Sequence, residues 1–232
     1  MTASPEAALA AFRRDLEAAG LNLHGCLPIG RYDALVPPAW SARSLLPAAK
    51  SAVVLAAGGR RFFEAFSVSA EARQPDDPVD AFTRRTAMDA ARRLGGRAVF
   101  AFERRAGAFA DFVALARAAG LGADSRLGLL LHPVYGPWMS IRAVVLTPCV
   151  LPATPALAGF DPCGDCAAPC ASACPAAAPR PQGFDVVRCA ATRGVTPACR
   201  DRCDARRACV VGPEHRYAEA AERHHMRSLP GP

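Results

Sequence analysis

The chain has 232 residues, of which 51% are hydrophobic, and its formal charge at pH 7 is +7. This size suits one or two domains with a buried core, and no apolar stretch reaches the roughly 18 residues that a membrane helix needs. Arginine supplies nearly all of the positive charge, because Lys50 is the only lysine. That bias is typical of genome composition, so nucleic acid is not an expected partner.

Helices and strands alternate over the first part of the chain. The first predicted helix has Ser4 as its N-cap and ends at Gly20. A second helix is predicted over 77–93 and a third over 106–119, with Phe109 and Val113 facing inward. The predicted strands span 22–29, 51–57, 97–102, 127–131 and 139–146. Such alternation indicates one α/β (α+β) sandwich domain over residues 1–150.

The composition changes near residue 151, where the chain becomes rich in proline. The segment 161–211 shows few signals of regular structure, and residues 213–229 are predicted to close the chain as a helix. A loop-rich stretch of this kind has little core of its own, so metal centres would supply its folding energy. We therefore predict a second domain over residues 151–232.

This second domain holds eight of the ten cysteines. They are Cys163, Cys166, Cys170, Cys174, Cys189, Cys199, Cys203 and Cys209. The first four follow the spacing C-x2-C-x3-C-x3-C-P, and close spacing of this type lets a short loop wrap several corners of an iron–sulfur cubane. Eight thiolates are the number that two [4Fe–4S] clusters need, so the eight are predicted as metal ligands. Cys26 and Cys149 lie far from this segment and are not assigned as ligands.

Three other interpretations of the cysteines stay open. Four thiolates also suit a closed zinc site, although zinc modules usually carry two separated C-x2-C pairs and this segment has one. A single cluster, with the other cysteines structural, is the second. Disulfides need an oxidising compartment, whereas the sequence after Met1 shows no apolar signal core and predicts a cytoplasmic protein.

A turn between two predicted strands carries His132, Tyr135 and Trp138. Loops often carry function, and one hypothesis is that these three side chains bind a cofactor beside the clusters. The other is that the two aromatic rings simply pack and His132 is a hydrogen-bonded turn residue. Among the ligands lie several arginines, which would donate hydrogen bonds to cluster sulfur or offset its charge.

Two segments before the cysteines resemble epoxyqueuosine reductases. They are Ala119-Gly-Leu-Gly122 and the stretch from Arg126 to Trp138 with its His132-Pro-Val-Tyr-Gly-Pro turn. With the cysteine run and Arg188-Cys189, the resemblance covers roughly residues 95–210. A closer likeness, through Leu127–Leu146 and Cys203–Tyr217, is to short bacterial ferredoxin-like proteins. The resemblance to the epoxyqueuosine reductases implies a sandwich domain that can bind a corrinoid, followed by a ferredoxin-like domain with two [4Fe–4S] clusters.

In two-cluster ferredoxins the fourth cysteine of the run binds the other cluster, and this arrangement also suggests how the eight cysteines are divided between two clusters. It assigns Cys163, Cys166, Cys170 and Cys209 to one cluster. The second cluster would then be held by Cys174, Cys189, Cys199 and Cys203.

One departure from the reductases concerns the acid that is thought to donate a proton in those enzymes. The corresponding stretch, 104–107, has no acid, and Asp111 stands at a different spacing. The prediction is therefore an iron–sulfur redox protein that transfers electrons to or within a reductase-type reaction. A corrinoid- or flavin-dependent reductase and a zinc-stabilised interaction module are the alternatives. The expected partner is a redox protein or a small-molecule acceptor.

Overall fold

The structure is a computed structural model that describes residues 5–229, so the predicted cap Ser4 lies outside the described residues. The chain forms two compact units. Unit 1 comprises the residues up to Leu121 together with Ser140–Ala156, and unit 2 comprises Gly122–Met139 and the residues from Leu157 onward. None of the helices within residues 5–229 is long and apolar enough to cross a membrane.

Unit 1 is a mixed α/β structure, as the sequence predicted. Its helices are α1 (Pro5–Ala18), α2 (Ile29–Asp33), α3 (Ala42–Leu45), α4 (Arg61–Ser67), α5 (Pro78–Arg93) and α6 (Phe112–Ala118), with 3₁₀ turns at Pro38–Trp40 and Glu71–Arg73. Its strands are β1 (Leu23–Pro28), β2 (Ser51–Gly58), β3 (Arg97–Phe100) and β4 (Met139–Thr147).

The four strands form one sheet in the order β1-β2-β4-β3. Strand β1 runs antiparallel to β2 with Leu23 opposite Ala56, and β3 runs antiparallel to β4 with Arg97 opposite Leu146. All eight residues of β2 are buried, as its continuous apolar run predicts for a central strand. Helices α1 and α5 pack their apolar stripes, which include Leu16 and Phe82, into the same core as β2.

The loop after α1 is fixed by a glycine. Gly20 has φ +71°, and a Cβ atom there would lie 2.3 Å from the backbone nitrogen of Phe62. Only glycine allows both this left-handed conformation and this close approach, so the predicted end of the first helix is confirmed.

Unit 2 contains short elements joined by loops. They are α7 (Pro169–Ala173), the hairpin β5 (Pro179–Arg180) and β6 (Gly183–Phe184), α8 (Val186–Val195), α9 (Ala198–Asp201), α10 (Asp204–Arg207), a 3₁₀ turn at Pro213–His215 and α11 (Glu219–Arg227). Its small core is formed by Leu127, Leu131, Cys170 and Ala205, and six partly buried residues, among them Cys174 and Cys209, pack against it. This packing explains why residues 122–139 group with unit 2 rather than with the first 121 residues.

Three predicted elements differ from the structure. Residues 127–131 form a turn, because Gly128 takes φ +67° and Leu131 makes only an isolated bridge with Ala123. The helix predicted over 106–119 begins only at α6, where Asp111 is the N-cap, and Phe109 and Val113 are exposed rather than inward. The final helix is divided into the 3₁₀ turn and α11.

Candidate metal centre

All eight cysteines predicted as ligands lie in unit 2, and none is in a disulfide. Cys163 and Cys166 precede α7, Cys170 lies in it and Cys174 follows it. Cys189 lies in α8 and Cys199 in α9, while Cys203 and Cys209 flank α10. Short helices and the loops between them therefore carry the thiols.

Cys163, Cys166, Cys170 and Cys209 are electrostatic neighbours, and we call them the first thiol set. The pKa of Cys170 is raised by burial and then by the charges of Cys163 and Cys166. Burial likewise raises the pKa of Cys209, with Cys170, Cys163 and Cys166 adding to the effect. Mutual influence of this kind requires short distances between the sulfur atoms.

The second thiol set, Cys174, Cys189, Cys199 and Cys203, lines one small cavity. Burial raises the pKa of Cys203 to about 11, and the charges of Cys174 and Cys189 act in the same direction. The pKa values of Cys189 and Cys199 are also raised, chiefly by burial, and the positive charge of Arg193 opposes this rise. A buried thiol with a raised pKa holds its proton until a metal displaces it.

Backbone N–H groups support the loops that carry the thiols. The amide of Ala168 donates to Cys166 Sγ at 3.4 Å, and the amide of Arg206 donates to Cys203 Sγ at the same distance. Upstream, the carboxylate of Asp161 accepts from the amides of Cys163 and Gly164. These bonds hold the cysteine-bearing loops in place.

The backbone of Cys203 is hydrogen-bonded to a buried ion pair. The carboxylate of Glu222 is fully buried and accepts hydrogen bonds from the Arg207 guanidinium at 2.7–3.1 Å. The same carboxylate accepts from the amide of Cys203 at 3.2 Å. The sequence gives no local sign of this role, since Glu222 lies in a helix rich in charged residues whose partner is 15 positions away.

The predicted cofactor residues divide between two aromatic groups. His132 Nδ1 accepts from the amides of Val134 and Tyr135, and burial, followed by the charge of His215, lowers its pKa. The ring of Tyr135 lies 4.6 Å from that of His215. His132 is thus a hydrogen-bonded turn residue, and whether it or Tyr135 contacts a cofactor stays a prediction.

Trp138 is fully buried and packs edge-on against Tyr217 at 5.5 Å between ring centroids. The guanidinium of Arg206 lies 4.8 Å from the Trp138 ring and 4.7 Å from the Tyr217 ring, and it donates to the carbonyl of Pro137. Trp138 is therefore a packing aromatic that fixes an arginine near the thiols, and contact with a cofactor stays a prediction for it as well.

The donor chemistry fits iron–sulfur clusters, because each set supplies the four thiolates that one cluster needs. Within residues 5–229, no three Cys, His, Asp or Glu side chains form a group that could hold one metal ion. The thiolates of a [4Fe–4S] cluster bind different irons, so they surround the cluster rather than converge on a single point.

At the level of fold, the molecule combines a mixed α/β unit with a cysteine-rich unit of short helices. No protein-family model matches the chain, and no curated protein sequence matches it. Similar solved structures do exist, however, and they include three kinds of protein.

Epoxyqueuosine reductase from Bacillus subtilis aligns with a TM-score of 0.56 at 18% identity, over 91% of this chain and 68% of that one. CblC, a B12-trafficking protein of C. elegans, aligns with a TM-score of 0.53 at 16% identity, over 96% and 92% of the two chains. A reductive dehalogenase described with a B12-dependent mechanism aligns with a TM-score of 0.53 at 18% identity, and the alignment covers 32% of the dehalogenase chain. At such identities the likeness establishes the fold, and the predicted relation to the epoxyqueuosine reductases holds at that level.

Proposed function

We propose that this chain is a cytoplasmic iron–sulfur redox protein that binds two [4Fe–4S] clusters and passes electrons to a redox partner protein or a small-molecule acceptor. The observation that carries the proposal is the division of eight free thiols into two electrostatic groups of four. The clusters, when bound, would supply one-electron oxidation and reduction. The first thiol set would hold one cluster and the second set the other, which makes unit 2 a ferredoxin-like domain in function.

The protein's own residues would bury, orient and tune these centres. Burial of Cys170 and Cys203 keeps water away from the bound sulfur atoms. The amide of Arg206 donates to Cys203 Sγ, and hydrogen bonds to sulfur are one of the means by which proteins set cluster potential. Glu222 fixes the backbone of Cys203 from the other side.

Anaerobic purification with metal and sulfide analysis tests the proposal. Two clusters predict about eight iron and eight sulfide per chain and broad absorbance near 400 nm, whereas about four of each leaves one cluster. Colourless protein with stoichiometric zinc would reject the proposal in favour of a zinc-stabilised interaction module.

Serine variants test the pairing. Cys170→Ser and Cys209→Ser should each lose one cluster, and the double variant should lose no more, because both residues serve the same centre. Combining Cys170→Ser with Cys189→Ser should remove both clusters. Cys149→Ser, half-buried in unit 1, is the matched control and should keep the full iron content. A Cys170/Cys209 double variant without any cluster would overturn the assignment.

A corrinoid- or flavin-dependent reductase is the second candidate. It is favoured by the likeness to a B12-trafficking protein and to a B12-dependent dehalogenase. The residues proposed to contact the cofactor are His132, Tyr135 and Trp138. Added cobalamin should change the visible spectrum of the reduced protein and raise its melting temperature through preferential binding to the folded state. Binding of neither cobalamin nor flavin would leave a plain electron carrier.

We do not expect this chain to turn over epoxyqueuosine in tRNA. The acids nearest to the expected position are both engaged in the structure. Asp111 caps α6 by accepting from the amide of Ala114 at 2.8 Å, and Glu103 is paired with Arg84 and Arg105. Both carboxyl groups thus have structural partners in this chain, and observed turnover of epoxyqueuosine would refute this distinction.

A further inference from the structure

A buried cation forms part of the wall of the second thiol set. Arg193 is 8% exposed, and it lines the same cavity as Cys174, Cys189, Cys199 and Cys203. Its guanidinium donates from Nη2 to the carbonyl of Met226 at 2.8 Å. A charged side chain that is seldom buried without compensation therefore stands beside four thiols.

The sequence of α8 explains why Arg193 faces the thiols. Residues four apart on a helix lie on one face, so Cys189 and Arg193 point in the same direction. The helix begins at a firm N-cap, because the Asp185 side chain accepts from the amide of Arg188 at 3.0 Å. Arg188 itself is exposed, one residue before Cys189. The same helix thus carries one arginine toward the cavity and one toward solvent.

Other arginines around the thiols differ in environment. Arg202 and Asp204 line the same cavity, but Arg202 is about half exposed and paired with Asp204, so solvent and its partner screen its charge. Arg206 is buried but stacked between two aromatic rings and bonded to Pro137. At the first thiol set, Arg126 donates to the backbone carbonyl of Cys163 rather than lining a cavity with the sulfur atoms.

We propose that Arg193 is a tuning residue which raises the reduction potential of the centre held by the second thiol set above that of the first. The inference rests on the proposed two-cluster function. Reduction adds one negative charge to the centre, and a positive charge in a buried, weakly screened position stabilises that reduced form. The second centre accordingly takes the first electron from a one-electron reductant, which loses that electron, and no proton is transferred.

The test is a redox titration of the anaerobically purified full chain, with dithionite as reductant and electron paramagnetic resonance as readout. Arg193→Gln removes the charge but retains an N–H donor for the Met226 carbonyl, Arg193→Lys keeps the charge, and Arg188→Gln is the exposed control. In Arg193→Gln, one of the two midpoint potentials should fall by about 59 mV, which is a tenfold change in the equilibrium constant for one electron. The other potential should not move, and Arg193→Lys and Arg188→Gln should leave both near the wild-type values.

Unchanged potentials in Arg193→Gln would overturn the inference, as would an equal fall in Arg193→Lys, which would indicate a purely structural role. A second measurement does not depend on the folding of these variants. The cluster that remains in Cys170→Ser should have the higher potential, and the one that remains in Cys189→Ser the lower; the reverse order refutes the proposal. If wild-type protein contains about eight iron atoms per chain and gives two cluster signals in electron paramagnetic resonance, the proposed two-cluster function stands whether or not Arg193 tunes a potential.

Discussion

Replacement of Glu222 by glutamine tests the buried support of the second thiol set. The Glu222 carboxylate is fully buried and accepts from the Arg207 guanidinium and from the amide of Cys203. Glutamine has nearly the same shape, but one of its two terminal atoms is an NH₂ group that cannot accept. One of these donors therefore loses its partner, and the guanidinium loses its counter-charge.

The magnitude follows from burial. Hydrogen bonds to charged groups contribute about 1.5–3 kcal/mol, and removing one partner of a buried ion pair costs about 3–5 kcal/mol. The Arg207 side chain is 28% exposed, so water recovers part of the loss, and we expect a destabilisation of about 2–3 kcal/mol. For a chain of this length, roughly 2–4 °C per kcal/mol corresponds to a fall in melting temperature of about 4–12 °C.

The measurement is thermal unfolding of anaerobically purified protein at one fixed scan rate, because unfolding of a cluster protein need not be reversible. Asp201→Asn is the matched control. Asp201 also pairs with α11, through Arg227 at 2.8 Å, but its side chain is 43% exposed. Exposed pairs contribute about 0–1 kcal/mol, so the control should change the melting temperature far less. Equal shifts in the two variants would refute the argument from burial.

Three further predictions concern other parts of the molecule. Cys26→Ser and Cys149→Ser should leave the visible spectrum unchanged, because both thiols lie in unit 1; a bleached variant would show that the ligand assignment is wrong. Arg85 holds the pKa of Glu71 at about 2, below its usual ~4.3. Glu71→Gln should therefore lower the melting temperature at pH 7, and the variant should lose less stability than wild type as the pH falls from about 4.5 to about 2. Removal of iron by a chelator should abolish hydrogen-exchange protection in α8–α10 while β2 and β4 stay protected; protection retained in α8–α10 would contradict metal-dependent folding.

The strands of unit 1 could be predicted because their signal is local. The apolar run Ser51–Gly58 and the last five residues of Met139–Thr147 are buried at the centre of the sheet. The prediction of a strand at 127–131 was wrong, and the pattern of apolar residues does not show why. Leu127 and Leu131 are both buried, but they pack in the small core of unit 2, and the turn at Gly128 prevents an extended strand.

The residues around the thiols were harder to predict. Cysteine spacing identifies candidate ligands, whereas Glu222 and Arg193 read as ordinary charged residues of surface helices. Each is buried because of a partner distant in sequence: Arg207 for Glu222, and the Met226 carbonyl for Arg193. Such compensation depends on tertiary packing, which no helical periodicity records.

These distant partners matter because the ligand-bearing helices cannot be stable by themselves. Helices α7, α9 and α10 are four or five residues long and α8 has ten, whereas isolated helices shorter than about 12–15 residues are marginal in water. In unit 2 the thiols are themselves part of the core, and buried charges replace much of the apolar packing found in unit 1. The bound clusters would therefore complete the fold of this unit. The buried arginines would offset the negative charge of the clusters and would thereby influence the reduction potential at which the clusters accept electrons.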